Sequence, residues 1–92
     1  MHYTVYILFS EKDKNLYVGC TSDLTKRLKK HFSGAVKATF YRRPLTLIHT
    51  EHFSDKGEAF NRERFLKSLW GARTKKKIRE DYLKNKNVRS FA

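Results

Sequence analysis

Cysteine is nearly missing from this chain. Cys20 stands alone, so no internal disulfide can form, and a reducing cytoplasm is the expected compartment. Proline is as scarce, with Pro44 alone, and there are only four glycines. That scarcity argues against a disordered or low-complexity chain. No apolar run approaches the roughly 18 residues that mark a membrane-spanning helix. The N-terminus, MHYTVYILFS, lacks the basic-then-apolar build of a signal peptide and reads as mature protein. Acidic residues are also few. Nine Asp and Glu face 21 Lys and Arg, for a net charge of +12 on 92 residues.

So large an excess on a small body attracts polyanions. Nucleic acid is the expected partner, because each phosphate contact releases counterions. A membrane surface is the competing partner. It calls for a basic amphipathic helix with an apolar face, whereas these cations are spread along the whole chain. The expectation is therefore nucleic acid and no membrane.

The length fits one domain over 1–92 with a modest core. Tyr3 to Phe9 alternates, with Tyr3, Val5, Ile7 and Phe9 on one face and Thr4, Tyr6 and Leu8 on the other, which predicts a strand. After a polar turn, Leu16 to Cys20 predicts a second strand and an antiparallel hairpin. Thr21 to Phe32 predicts a helix capped by Thr21 or Ser22, with Gly34 at its exit. Its apolar stripe is Leu24, Leu28 and Phe32. Gly34 to Arg43 reads as a basic loop, and Leu45 to Phe53 as a third strand. Ser54 or Asp55 should cap a helix reaching about Trp70, with Glu58 at capping-box spacing from Asp55. Gly71 ends it. A last helix, from about Thr74 to Lys84, should pack Ile78, Tyr82 and Leu83, and 85–92 should fray. The expected fold is α+β, a small three-stranded antiparallel sheet flanked by helices in the order β-β-α-β-α-α.

Several side chains stand out within that frame. Lys26, Lys29 and Lys30 point away from the leucine stripe, where a solvated face would suffice to explain them. Arg27 and His31 stack at helical spacing on the border of the stripe. On the helix alone, a snorkelling arginine and a satisfied core histidine explain them as well as a site does. Glu63 falls inside the apolar arc drawn by Ala59, Phe60, Leu66 and Trp70. A carboxylate there needs a partner, and two are open: Lys67, four residues on, or a divalent cation, since magnesium often takes only one or two protein carboxylates. Tyr6 and Tyr17 fall on paired strands, as core or as pocket lining. His49 and His52 would lie on opposite strand faces, which speaks against zinc. The 37–43 run, KATFYRR, mixes cations and aromatics. It suits a phosphate grip with base stacking, or a solvated loop.

Taken in order, these residues resemble a known set. Thr4-Val5-Tyr6 and Tyr17-Val18-Gly19 are similar to the two short motifs that name the GIY-YIG nuclease superfamily. Arg27 stands where the family has its helix arginine, and His31 where members carry histidine or tyrosine. Glu63, in Glu63-Arg64-Phe65-Leu66-Lys67, falls on the metal-binding glutamate. The likeness runs from about Tyr3 to Ile78. It is nearest to small single-domain bacterial members related to the N-terminal nuclease domain of the excision-repair endonuclease. Lys37, Thr39 and Arg42-Arg43-Pro44 share in it, as does Ala59 ahead of Arg62-Glu63.

What the resemblance implies is a metal-dependent endonuclease cutting phosphodiester bonds in DNA, with RNA still open and DNA repair as a setting. It implies one Mg²⁺ or Mn²⁺ on Glu63, charge stabilisation by Arg27, and proton abstraction by Tyr6 or Tyr17 with His31 as relay or alternative base. Lys26, Lys29, Lys30, Lys37, Arg42 and Arg43 are the expected nucleic-acid contacts. The alternative is an inactive nucleic-acid-binding module of the same fold.

Overall fold

The computed structural model describes the backbone of residues 2–91 and the side chains of residues 2–85. Fraying expected after Asn85 falls on side chains outside that range. The fold is α+β, in the expected order. Strand β1 (Tyr3–Ser10) lies at the centre of a three-stranded antiparallel sheet, between β2 (Leu16–Thr21) and β3 (Leu45–Phe53). Helix α1 (Leu24–Ser33) follows β2. Helices α2 (Lys56–Lys67) and α3 (Ala72–Phe91) follow β3.

Both faces of β1 are buried. Val5 and Ile7 join Val18, Ala59 and Leu66 in the main core, with Ile78 of α3 against it. Phe9 meets the Tyr82 ring at 5.2 Å. On the other face, Tyr6 turns toward α1. The alternation expected for the strand is real, but it separates two buried environments rather than core from solvent.

Local chemistry sets the boundaries. The cap of α1 is Asp23, whose carboxylate accepts from the Lys26 N–H at 3.1 Å. Thr21, expected as that cap, instead ends β2 opposite Thr4, so the helix starts later than expected, at Leu24. Gly34 closes it at φ 87°, a left-handed conformation that suits glycine. Asp55 caps α2 by accepting from the Glu58 N–H at 3.0 Å. That helix stops at Lys67, short of the expected Trp70, because Leu69–Gly71 form a 3-10 turn. A Cβ on Gly71 would lie 2.3 Å from the Phe65 carbonyl oxygen, so only glycine lets the chain fold back this tightly.

Two expected apolar faces need correction. Phe32 is 47% exposed, and the fully buried side chain of α1 is His31. On α2, Ala59 and Leu66 are buried, but Trp70 is 83% exposed and Phe60 also faces water. Trp70 is exposed because the chain leaves the helix before it, while Phe32 and Phe60 lie on open helix faces.

Candidate active site

The hairpin brings Tyr6 opposite Gly19 and Leu8 opposite Tyr17. The Tyr6 and Tyr17 rings then lie 6.4 Å apart. Helix α1 crosses that face and inserts His31, with its ring 5.6 Å from Tyr6 and 5.2 Å from Tyr17. Gly19 makes this possible. A Cβ there would lie 2.3 Å from both Cζ and Oη of Tyr6, so the second motif glycine is the room into which the first motif tyrosine fits.

A directional hydrogen-bond chain threads the site. Arg27 Nε donates to the Tyr6 hydroxyl at 3.3 Å. That hydroxyl lies 2.8 Å from His31 Nε2, and His31 Nδ1 lies 2.8 Å from the Thr39 hydroxyl. Thr39 donates in turn to the Val36 carbonyl at 3.5 Å. With Thr39 donating onward, His31 carries its proton on Nδ1, and Nε2 accepts from Tyr6. Thr39 and His31 are both completely buried. Burial, assisted by the Arg27 charge, lowers the His31 pKa to about 4 and keeps the ring neutral.

The phenol of Tyr6 is pushed the other way. Burial raises its pKa, the Arg27 hydrogen bond opposes that rise, and the charges of Tyr17 and Glu63 add to it. Arg27 is itself held charged, first by Tyr6 and then by Tyr17. Glu63 also acts electrostatically on Cys20, whose thiol pKa is raised chiefly by burial. Arg27 of α1 bonds the Tyr6 phenol directly, whereas Glu63 of α2 is the smallest of the influences on it. Glu63 is partly exposed, at 21% of its side chain, and its Oε2 lies 3.2 Å from Lys67 Nζ. The two partners left open for Glu63 are compatible, since the lysine pair engages one carboxylate oxygen.

The cationic residues divide into two groups. Lys26, Lys29, Lys30 and Lys37 are exposed. Lys26 and Lys30 flank Arg27 in a polar cleft of about 430 Å³. Arg42 and Arg43, also expected on nucleic acid, make contacts within the fold as well. Arg42 Nε binds Asp13 at 2.8 Å and its Nη2 donates to the Leu16 carbonyl at 3.3 Å. Arg43 Nε donates to the Phe40 carbonyl at 3.1 Å, and its guanidinium lies 4.6 Å from the Phe40 ring centre. His49 pairs with Glu51 at 2.8 Å, Arg62 grips the same carboxylate at 2.7 Å, and His52 turns to Thr4. Among the described residues, no three His, Cys, Asp or Glu are grouped to hold a metal.

Two participants had roles the sequence did not show. Thr39 shared in the resemblance, but nothing marked it as the partner of His31. Gly19 stood in the motif, but the clash that explains it is a cross-strand contact.

A family model described as the GIY-YIG catalytic domain matches residues 2–79. The chain is 44% identical over 82 residues to a UPF0213 protein of Bacillus velezensis, covering 88% of this chain and 77% of that one. It is 45% identical over 76 residues to the UPF0213 protein YazA of Bacillus subtilis, covering 82% of this chain and 72% of YazA. The solution NMR structure of a UPF0213 protein from Bacillus halodurans is similar with a TM-score of 0.54 at 38% identity, covering 85% of this chain and 83% of that one. Residues from the hairpin through α3 therefore carry both the motifs and the fold, and the chain belongs to the GIY-YIG catalytic-domain family.

Proposed function

We propose that this protein is a divalent-metal-dependent endonuclease acting on DNA. The observation that carries the reading is the convergence on one phenol. Arg27 and His31 come from α1 and Tyr17 from β2, and all three meet Tyr6. Hydrolysing a phosphodiester requires positioned groups for the water, the phosphate and the developing charge at once.

Glu63 supplies oxygen donors, the chemistry that suits a hard cation, and only Oε2 is engaged by Lys67. A single carboxylate fits Mg²⁺ or Mn²⁺ completed by water and substrate oxygens. The ion, when bound there, supplies Lewis-acid stabilisation of charge on the phosphate and the leaving oxygen. Arg27 adds fixed positive charge beside the same phosphate. Tyr6 is 1% exposed, accepts from Arg27 and donates to His31. It is a positioning residue that aims the guanidinium. Tyr17 is more open to solvent and also interacts with Arg27, so Tyr17, once its own hydroxyl proton has passed to solvent, is the oxygen that takes the proton from the attacking water. His31, held neutral and buried, orients Tyr6 and packs on Tyr17.

Exposed Lys26, Lys29, Lys30 and Lys37 approach the nucleic-acid backbone, giving affinity without sequence information. No helix among the described residues is long and apolar enough to cross a membrane. The lone free Cys20 suits a reducing cytoplasm. The test is nicking of supercoiled plasmid by pure protein. Cleavage should require Mg²⁺ or Mn²⁺ and stop with chelator. Plasmid bound but never cut under any divalent ion would favour the inactive binding module.

A further inference from the structure

Beside the site, the turn Phe40–Arg42 and the loop before β3 border a groove of about 640 Å³. Phe32, Phe40, Tyr41, Lys12 and Arg43 are among its lining side chains, and no carboxylate is. Tyr41 is 78% exposed, with Phe32 and Phe40 partly exposed beside it. So much exposed aromatic surface in one place on a small domain calls for an occupant.

The platform is rigidly built. Phe40 meets Tyr41 edge-on at 4.7 Å and 89°, which props the Tyr41 ring while leaving it open. Arg43 stacks on Phe40. The Ser10 hydroxyl donates to the Arg42 carbonyl at 2.6 Å, and the Glu11 N–H donates to the Pro44 carbonyl at 2.9 Å, tying the segment to the β1–β2 turn. Thr39, immediately before the turn, holds His31. Phe32 directly follows His31. The aromatic platform and the site are therefore fixed by the same short segments.

Flat aromatic surface with flanking positive charge and no acid matches the two halves of a nucleotide. Bases stack on such rings whatever their sequence, while cations follow the phosphates. We propose that this groove holds an unpaired nucleobase of a single-stranded stretch, stacked on Tyr41, with Lys12 and Arg43 supplying charge beside the adjoining phosphates. The inference rests on the nucleic-acid reading above and narrows it: the substrate carries unpaired bases close to the bond that is cut. In a fully paired duplex the base faces are covered by their neighbours, and Tyr41 has nothing to stack on.

The test is fluorescence anisotropy of labelled DNA with the full chain, in chelator so that nothing is cut. Three probes carry similar charge: a short oligothymidylate, an abasic strand of the same length, and a blunt duplex. Tyr41→Ala should weaken oligothymidylate binding about tenfold, and leave the abasic strand and the duplex unchanged. Tyr41→Phe should bind like the wild type. Equal losses on all three probes, or no loss on any, would overturn the stacking role. If wild-type protein nicks plasmid while Tyr41→Ala binds every probe normally, the groove proposal fails alone. If the wild type binds none of the probes, the nucleic-acid reading fails with it.

Discussion

The phenol of Tyr6 fills the space that a side chain on Gly19 would occupy. The two residues face each other across β1 and β2, and a Cβ on Gly19 would stand 2.3 Å from the ring. Neither partner can yield easily. Gly19 is backbone in a ladder, and Tyr6 is pinned by His31 and Arg27. Gly19→Ala should therefore cost about 1–3 kcal/mol as overpacking. It should also reduce cleavage strongly by displacing the phenol that aims Arg27. Urea denaturation and plasmid nicking, run side by side, check both effects. Wild-type stability in the variant would mean the clash is relieved elsewhere.

The pocket should behave as a unit. Tyr17→Phe and Arg27→Ala should each remove most cleavage activity with the fold retained, as read by circular dichroism. The double variant should lose little more than either single one, since groups serving one transition state are not additive. Tyr6→Phe has a different signature. It removes the donor to buried His31 Nε2, so a stability loss of roughly 1–3 kcal/mol should accompany its loss of activity. Independent, multiplicative rate losses for Tyr17 and Arg27 would separate them into different roles.

Much of this arrangement was legible in the residues, and the reasons differ by element. Strand β3 has the expected bounds, Leu45–Phe53, because Pro44 and Ser54 bracket a β-prone run. The hairpin pairing placed Tyr6 near Tyr17 without any tertiary information. Helical spacing put Arg27 and His31 on one side of α1. What stayed hidden depends on long-range contacts. Thr39 serves His31 only because the loop after α1 folds under the helix. The Arg42 pair with Asp13 was hidden because the two are distant in sequence. Trp70 looked like core because helical periodicity was continued past Lys67, where a 3-10 turn redirects the chain.

His31 gives the protein a pH signature. Its pKa in the folded state is about 4, below its ordinary 6.5. Between those values the unfolded chain binds the proton and the folded one does not. Stability is thus complete above pH 6.5 and falls as pH drops toward 4, by at most about 1.4 kcal/mol per pH unit. Asp13 and Glu51, both held below their ordinary values by arginines, add losses only nearer the carboxylate range. Urea unfolding at pH 7 and pH 5.5 should show a drop of roughly 1 kcal/mol. His31→Gln should flatten that difference. The same drop in the variant would assign it to another group.

Salt should report the lysines. Reversing Lys26, Lys29 and Lys30 to Glu together should weaken DNA binding and shallow its salt dependence, with unfolding stability little changed, since all three are exposed. Wild-type affinity that does not change between roughly 50 and 200 mM salt would contradict phosphate contact by these residues.

The central claim is that Glu63 holds the metal the reaction needs. Glu63→Gln keeps the size of the side chain and removes its charge. The decisive measurement is Mn²⁺ titration of wild type and variant, followed by plasmid nicking on the same samples. The wild type should bind one Mn²⁺ and the variant none. Nicking should be lost in the variant while its fold and DNA binding are unchanged. A Glu63→Gln protein that cuts plasmid at the wild-type rate would contradict the account and leave Glu63 as the partner of Lys67 alone.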